Sequence, residues 1–214
     1  MLNSYFTVKG EGNDEIVIQK SRFIGYVKRV ETEEEAKEFV QSIKKKHKDA
    51  THNCSAYMIG ETDHIQKAHD DGEPSGTAGV PILNVLKQKE LKDTAVVITR
   101  YFGGIKLGAG GLIRAYGNAT SEALNTTGIV RRQLMRTMTI KADYSLLGKL
   151  ENELRSSPYS INRMEYLEHV EIDVFVEEGS EETFTSWMVD LTSDQVEITT
   201  GDVSYMEEDV TPDR

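Results

Sequence analysis

The sequence has a single cysteine, Cys54, among its 214 residues. One thiol makes no internal disulfide and no Cys-rich zinc site. No stretch approaches the roughly 18 uninterrupted apolar residues of a membrane span. The opening, MLNSYFTVKGEG, lacks a basic region followed by a hydrophobic one, so no secretory signal is read there. Repeats and low-complexity tracts are absent. So are three catalytic signatures: there is no G-x-x-x-x-G-K-[ST] loop, no H-E-x-x-H helix and no G-x-S-x-G elbow. What is left is a globular chain, 38% apolar, long enough for two domains and expected in the cytoplasm.

Charge is unevenly spread. Residues 1–99 hold 14 basic and 16 acidic side chains. Residues 100–141 hold seven basic ones (Arg100, Lys106, Arg114, Arg131, Arg132, Arg136, Lys141) against Glu122 alone. Residues 142–214 hold four basic against 19 acidic, within an overall net charge of −11. This asymmetry points to an anion-facing middle segment and an acidic C-terminal part, open to a protein partner.

The chain reads as strand and helix in mixture. Tyr5–Lys9 and Glu15–Val30 are extended, and a helix follows from Thr32, with three glutamates in its first turn, to about Lys48. Asn53–Gly60 is a strand, His69–Gly79 a turn-rich loop, and a second helix spans about Thr77 to Leu91. Thr94–Phe102 is a buried strand; a glycine-rich loop and a third helix, about Gly110 to Thr126, come next. From Ile129 onward the order is strand, helix, strand, strand, helix, strand, the βαββαβ signature of a ferredoxin-like sandwich. Two α+β domains are expected, residues 1–135 and 136–214.

Two constellations carry possible chemistry. In RYFGGIKLGAGGLIRAYG (Arg100–Gly117) six glycines and three cations lead from a strand into a helix. Backbone N–H groups at a helix N-terminus make an anion site, and Arg100, Lys106 and Arg114 would add charge-assisted bonds, with Gly108, Gly110 and Gly111 allowing close approach. Equally, these glycines allow tight packing, with the cations paired to Asp70, Asp71 or Glu73. Arg131, Arg132 and Arg136 extend the basic surface, and Tyr101, Phe102 and Tyr116 offer rings for base stacking or for the core. The second constellation is HDDGEPSGT, where Asp70, Asp71 and Glu73 would hold Mg²⁺ or move protons. Turn chemistry, with Ser75 or Thr77 capping the next helix, explains the same residues. His52 and Cys54, two apart, share a strand face.

DDGEPSGTAGVPILNVL followed by VVITRYFGGIKLGAGGLIRAYG resembles the signature of the IMPACT family. The resemblance implies an N-terminal α+β domain similar to the second domain of a small-subunit ribosomal protein. It implies a C-terminal domain similar to the last domain of elongation factor G. It also implies a role in translational control. The expected function is a regulatory protein, more binder than enzyme, that contacts RNA, the ribosome or a translation factor through the basic glycine-rich loop, with no cofactor. The alternative is an enzyme acting on a small phosphorylated or nucleotide substrate, with Mg²⁺ at the DDGEP loop.

Overall fold

Within TAVVITRY the residues Ala95, Val96, Val97 and Ile98 are apolar in succession because the strand they form is covered on both sides. The computed structural model describes residues 1–210. In chain order its first elements are β1 (Ser4–Val8), β2 (Glu11–Ile18), β3 (Ser21–Arg29), α1 (Glu33–Lys46), β4 (His52–Ile59) and β5 (Ile65–His69). Helix α2 (Gly79–Gln88), β6 (Thr94–Tyr101) and α3 (Gly108–Thr127) follow. The sheet order is β2-β3-β6-β4-β5, antiparallel throughout.

Period-two alternation sorts β6 between two cores. Ala95 and Val97 pack with Phe39, Val40 and Ile43 of α1. Val96 and Ile98 face the other way, into Ile82 and Leu86 of α2 and Leu112, Tyr116 and Leu124 of α3. The same alternation sends Arg100 to the α2–α3 side, and the β4 register brings His52 opposite Arg100 and Cys54 opposite Ile98. Helix α1 starts as its sequence indicates: Thr32 Oγ1 accepts from the Glu35 N–H at 3.2 Å, and Lys44, Lys45 and Lys46 occupy its last turn.

One extended segment is two. Residues 15–30 fold back at Gln19 and Lys20, whose φ angles are 44° and 65°, and Ile18 pairs with Ser21 across the turn. Positive φ at both turn positions matches the right-handed twist of a hairpin, but the usual Asn-Gly is missing, so the sequence did not mark it. Strand β5 was likewise unmarked.

The described chain divides into two compact units, residues 1–132 with 208–210, and residues 133–207, where the sequence predicts a boundary at 135/136. Strand β7 (Ile129–Ala142) begins in the first unit, where Arg131 and Arg132 bond to Ser4 and Tyr5 of β1. The second unit continues with α4 (Leu147–Arg155), β8 (Ser160–Tyr166), β9 (Val170–Glu177), α5 (Glu181–Thr192) and β10 (Glu197–Val210). Strand β9 pairs with both β7 and β8, and β10 pairs with β7. Met138, Ile140, Leu150, Leu154, Ile172, Val174, Phe184 and Met188 form its core. Both units are α+β. Residues 133–207 hold five Lys and Arg against 16 Asp and Glu, so the second unit carries all of the chain's net negative charge. Among the described residues no helix is long and apolar enough to cross a membrane.

Candidate functional site

Glu73 lies in the interior, 8% exposed, and organises both loops. Its Oε1 accepts from Arg100 Nη1 at 2.6 Å and from the Tyr116 hydroxyl at 2.8 Å. Arg100 is 5% exposed. Its guanidinium lies 5.4 Å from the Phe23 ring centroid and 5.5 Å from that of Phe102, and its Nη2 reaches Ser21 Oγ at 3.4 Å. Arg100 Nε is buried without an acceptor among the described residues. Arg100 was expected to meet phosphate; instead β6 alternation turns it inward, where it ties the glycine-rich loop to the DDGEP loop. Tyr116 is likewise withdrawn from any stacking role, being fully buried.

The remaining acids of DDGEP are each engaged elsewhere. The Asp70 carboxylate accepts from the N–H groups of Gly76 (2.8 Å), Ala78 (3.1 Å) and Gly79 (2.8 Å). It therefore caps α2, which has no capping side chain of its own. Thr77, expected as that cap, bonds back to the Pro74 carbonyl at 2.7 Å. Burial pushes the Asp70 carboxyl up, but the three N–H groups outweigh it and hold the group below its ordinary range. Asp71 accepts from Lys44 Nζ at 2.6 Å and from the Asn53 N–H at 2.7 Å. Among the described residues no three His, Cys, Asp or Glu side chains converge as a metal site. The arrangement expected of an Mg²⁺ loop is not the one found: one acid caps a helix, one holds Lys44, and one is buried against arginine.

His52 Nδ1 donates to the Asp71 carbonyl at 2.9 Å, leaving Nε2 3.7 Å from Glu73 Oε2. Cys54 Sγ lies 3.0 Å from the Asp70 carbonyl and 3.3 Å from the Tyr116 hydroxyl. Burial pushes the Cys54 thiol up to about 12, and the nearby carboxylates add to it, so it is no nucleophile near neutral pH.

The glycine-rich loop has a packed side and an open side. A Cβ at Gly103 would lie 2.0 Å from the Lys20 carbonyl carbon, so this glycine lets the loop touch the β2–β3 turn. Gly108, with φ of 68°, faces open space. Helix α3 begins there with no side-chain cap and no acid in its first turn. The N–H groups of Gly108, Ala109 and Gly110 thus have no side-chain acceptor among the described residues. Arg114 Nη1 lies 3.5 Å from where a Gly110 Cβ would stand, so the guanidinium folds back over that first turn. Lys106, Arg114 and Lys20 are exposed, with no hydrogen-bond or ion-pair partner among the described residues.

The other expected cations are bonded to residues outside the glycine-rich loop. Arg131 bonds to Ser4 Oγ at 2.9 Å, and Arg132 bonds to the Tyr5 hydroxyl at 2.6 Å. Arg136 belongs to the second unit, held by Glu178 at 2.7 Å and by the Gly201 carbonyl at 3.0 Å. The structure therefore brings together Lys106, Gly108, Gly110, Gly111 and Arg114, and leaves out the rest. Lys20 was missed; it reaches the loop only through the unmarked hairpin turn.

The Impact N-terminal domain matches residues 19–124, and a domain of unknown function (DUF1949) matches residues 140–195. The IMPACT family member YvyE of Bacillus subtilis is 61% identical over 98% of this chain and 97% of its own. YigZ of Escherichia coli is 38% identical over 66% of this chain and 74% of its own. A crystal structure described as that of a hypothetical protein superposes with a TM-score of 0.60 at 29% identity, covering 94% of this chain and 99% of that one. With both loops inside the matched region, the chain belongs to the IMPACT family.

Proposed function

We propose that this is a translation-linked regulatory protein that binds RNA through the open side of the glycine-rich loop. The observation that supports it most is the concentration of unneutralised positive character at the start of α3. An uncapped N-terminus and the Arg114 guanidinium repel each other unless an anion is present. Lys106 and Lys20 extend that field, so successive phosphates of a strand would find a donor at each step. The second unit, strongly negative, repels phosphate and leaves RNA to the first unit. Family membership supports the link to translation that the IMPACT signature implies. The 4-1-3-2 strand order of the second unit supports a ferredoxin-like fold similar to the last domain of elongation factor G. A cytoplasmic location belongs to the same reading.

The test is binding of a structured RNA across a salt series, by the native protein and by the Lys106→Glu/Arg114→Glu variant. A salt-dependent affinity that the variant loses is expected. Arg100 is left intact, because its loss would act on folding. Salt-independent binding, or equal binding by both proteins, would remove the loop from the reading.

A further inference from the structure

Three of the eleven large apolar side chains exposed among the described residues fall within twelve positions of one another: Phe102 at 46%, Ile105 at 41% and Ile113 at 45%. Scattered exposed apolar residues need no explanation, but three in one loop and the helix turn that follows it do. In sequence the three are interleaved with Lys106 and Arg114. The Phe102 ring is set from one side by the Arg100 guanidinium, which Glu73 holds in the interior. A side chain fixed in this way loses little further freedom when it meets a flat partner. The Phe102 N–H is also pinned, donating to Thr51 Oγ1 at 3.0 Å.

From this we infer that the bound RNA is single-stranded, and that an unpaired base stacks on Phe102, with Ile105 and Ile113 as further apolar contacts for the strand. A duplex presents phosphates to cations but hides its base faces, so it can use Lys106 and Arg114 and not Phe102. Phe102 is thus the residue that sets strand preference. The inference rests on the RNA reading above.

The experiment measures fluorescence anisotropy with a labelled oligoadenylate carrying one 2-aminopurine, alone and annealed to its complement. The native protein should bind the single strand at least about tenfold more tightly, since stacking of one base is worth that much. Phe102→Ala should lose about tenfold on the single strand and nothing on the duplex, while Phe102→Tyr keeps the preference. The 2-aminopurine emission should be quenched on binding to the native protein and not to Phe102→Ala. Ile105→Asn, outside the core, should weaken single-strand binding in the same direction should Phe102→Ala lose its fold. Equal affinity for both RNAs, unchanged in both variants, overturns base stacking and leaves the RNA reading standing. Binding of neither RNA overturns both.

Discussion

Arg100 and Glu73 meet at 2.6 Å on the α2–α3 face of the sheet, with side chains 6% and 4% exposed. The pair joins two loops that the sequence separates by 27 positions. Burying two charges costs several kcal/mol each, offset only by close geometry and further bonds. Here Tyr116 and Ser21 supply those bonds.

Removing either partner alone should therefore destabilise the protein by about 3–5 kcal/mol, because the other charge stays buried. Glu73→Gln should do less damage than Arg100→Ala, since its amide oxygen still accepts from Tyr116. The double substitution Glu73→Leu/Arg100→Met should recover much of the loss. Urea unfolding of the three variants checks this; equal stability of Arg100→Ala and native protein would contradict it.

The first turn of α3 allows stability and binding to be driven in opposite directions. Ala109 is exposed and within that turn. Ala109→Asp supplies the acid the turn lacks, and should stabilise the helix by about 0.3–1 kcal/mol through its dipole. It should also weaken RNA binding sharply, by placing a carboxylate where phosphate would sit. A higher melting temperature with lower RNA affinity is the expected pair of readings; unchanged affinity would mean that the anion lies elsewhere.

Much of this was legible beforehand, for reasons that differ from residue to residue. The strand before the glycine-rich loop showed in TAVVITRY because burial on both faces makes Ala95, Val96, Val97 and Ile98 apolar in succession. His52 and Cys54 could be placed on one face by counting alone. The clamp between the two loops was open as one of two readings, since charge pairing is visible in sequence but burial is not. Arg100 could not be told from Lys106 and Arg114, because its inward direction depends on where β6 begins its alternation. The Asp70 cap was hidden too: its three N–H partners lie six to nine residues away, beyond any local capping pattern. The hairpin turn at Gln19–Lys20 left no signal, and with it went the contact to Gly103 and the place of Lys20.

Cys54 should behave as an inert core residue. Its thiol, pushed up to about 12 chiefly by burial, is almost wholly protonated at pH 8. In the native protein a thiol-reactive chromophore should label it only slowly, at a rate that follows unfolding, and labelling in urea should go to completion at one thiol per chain. Cys54→Ala should cost stability modestly and leave RNA binding unchanged. Rapid native labelling would contradict the burial.

Asp70 provides the pH test. Its carboxyl is held below its ordinary range in the folded protein by the Gly76, Gly79 and Ala78 N–H groups, against the opposing effect of burial. A depressed acid contributes stability that is fully present above its unfolded value, about 3.9, and lost as the pH falls from there through the folded value. Asp70→Ala strips α2 of its cap and should cost about 1–3 kcal/mol at neutral pH. Thermal unfolding of both proteins from pH 7 downward should give a constant gap in melting temperature until about pH 4. Below that the gap should narrow, because the native protein gives up the advantage that the variant never had. A gap that stays constant to the lowest pH at which both proteins fold would show that the carboxylate charge is not what holds the loop to the helix.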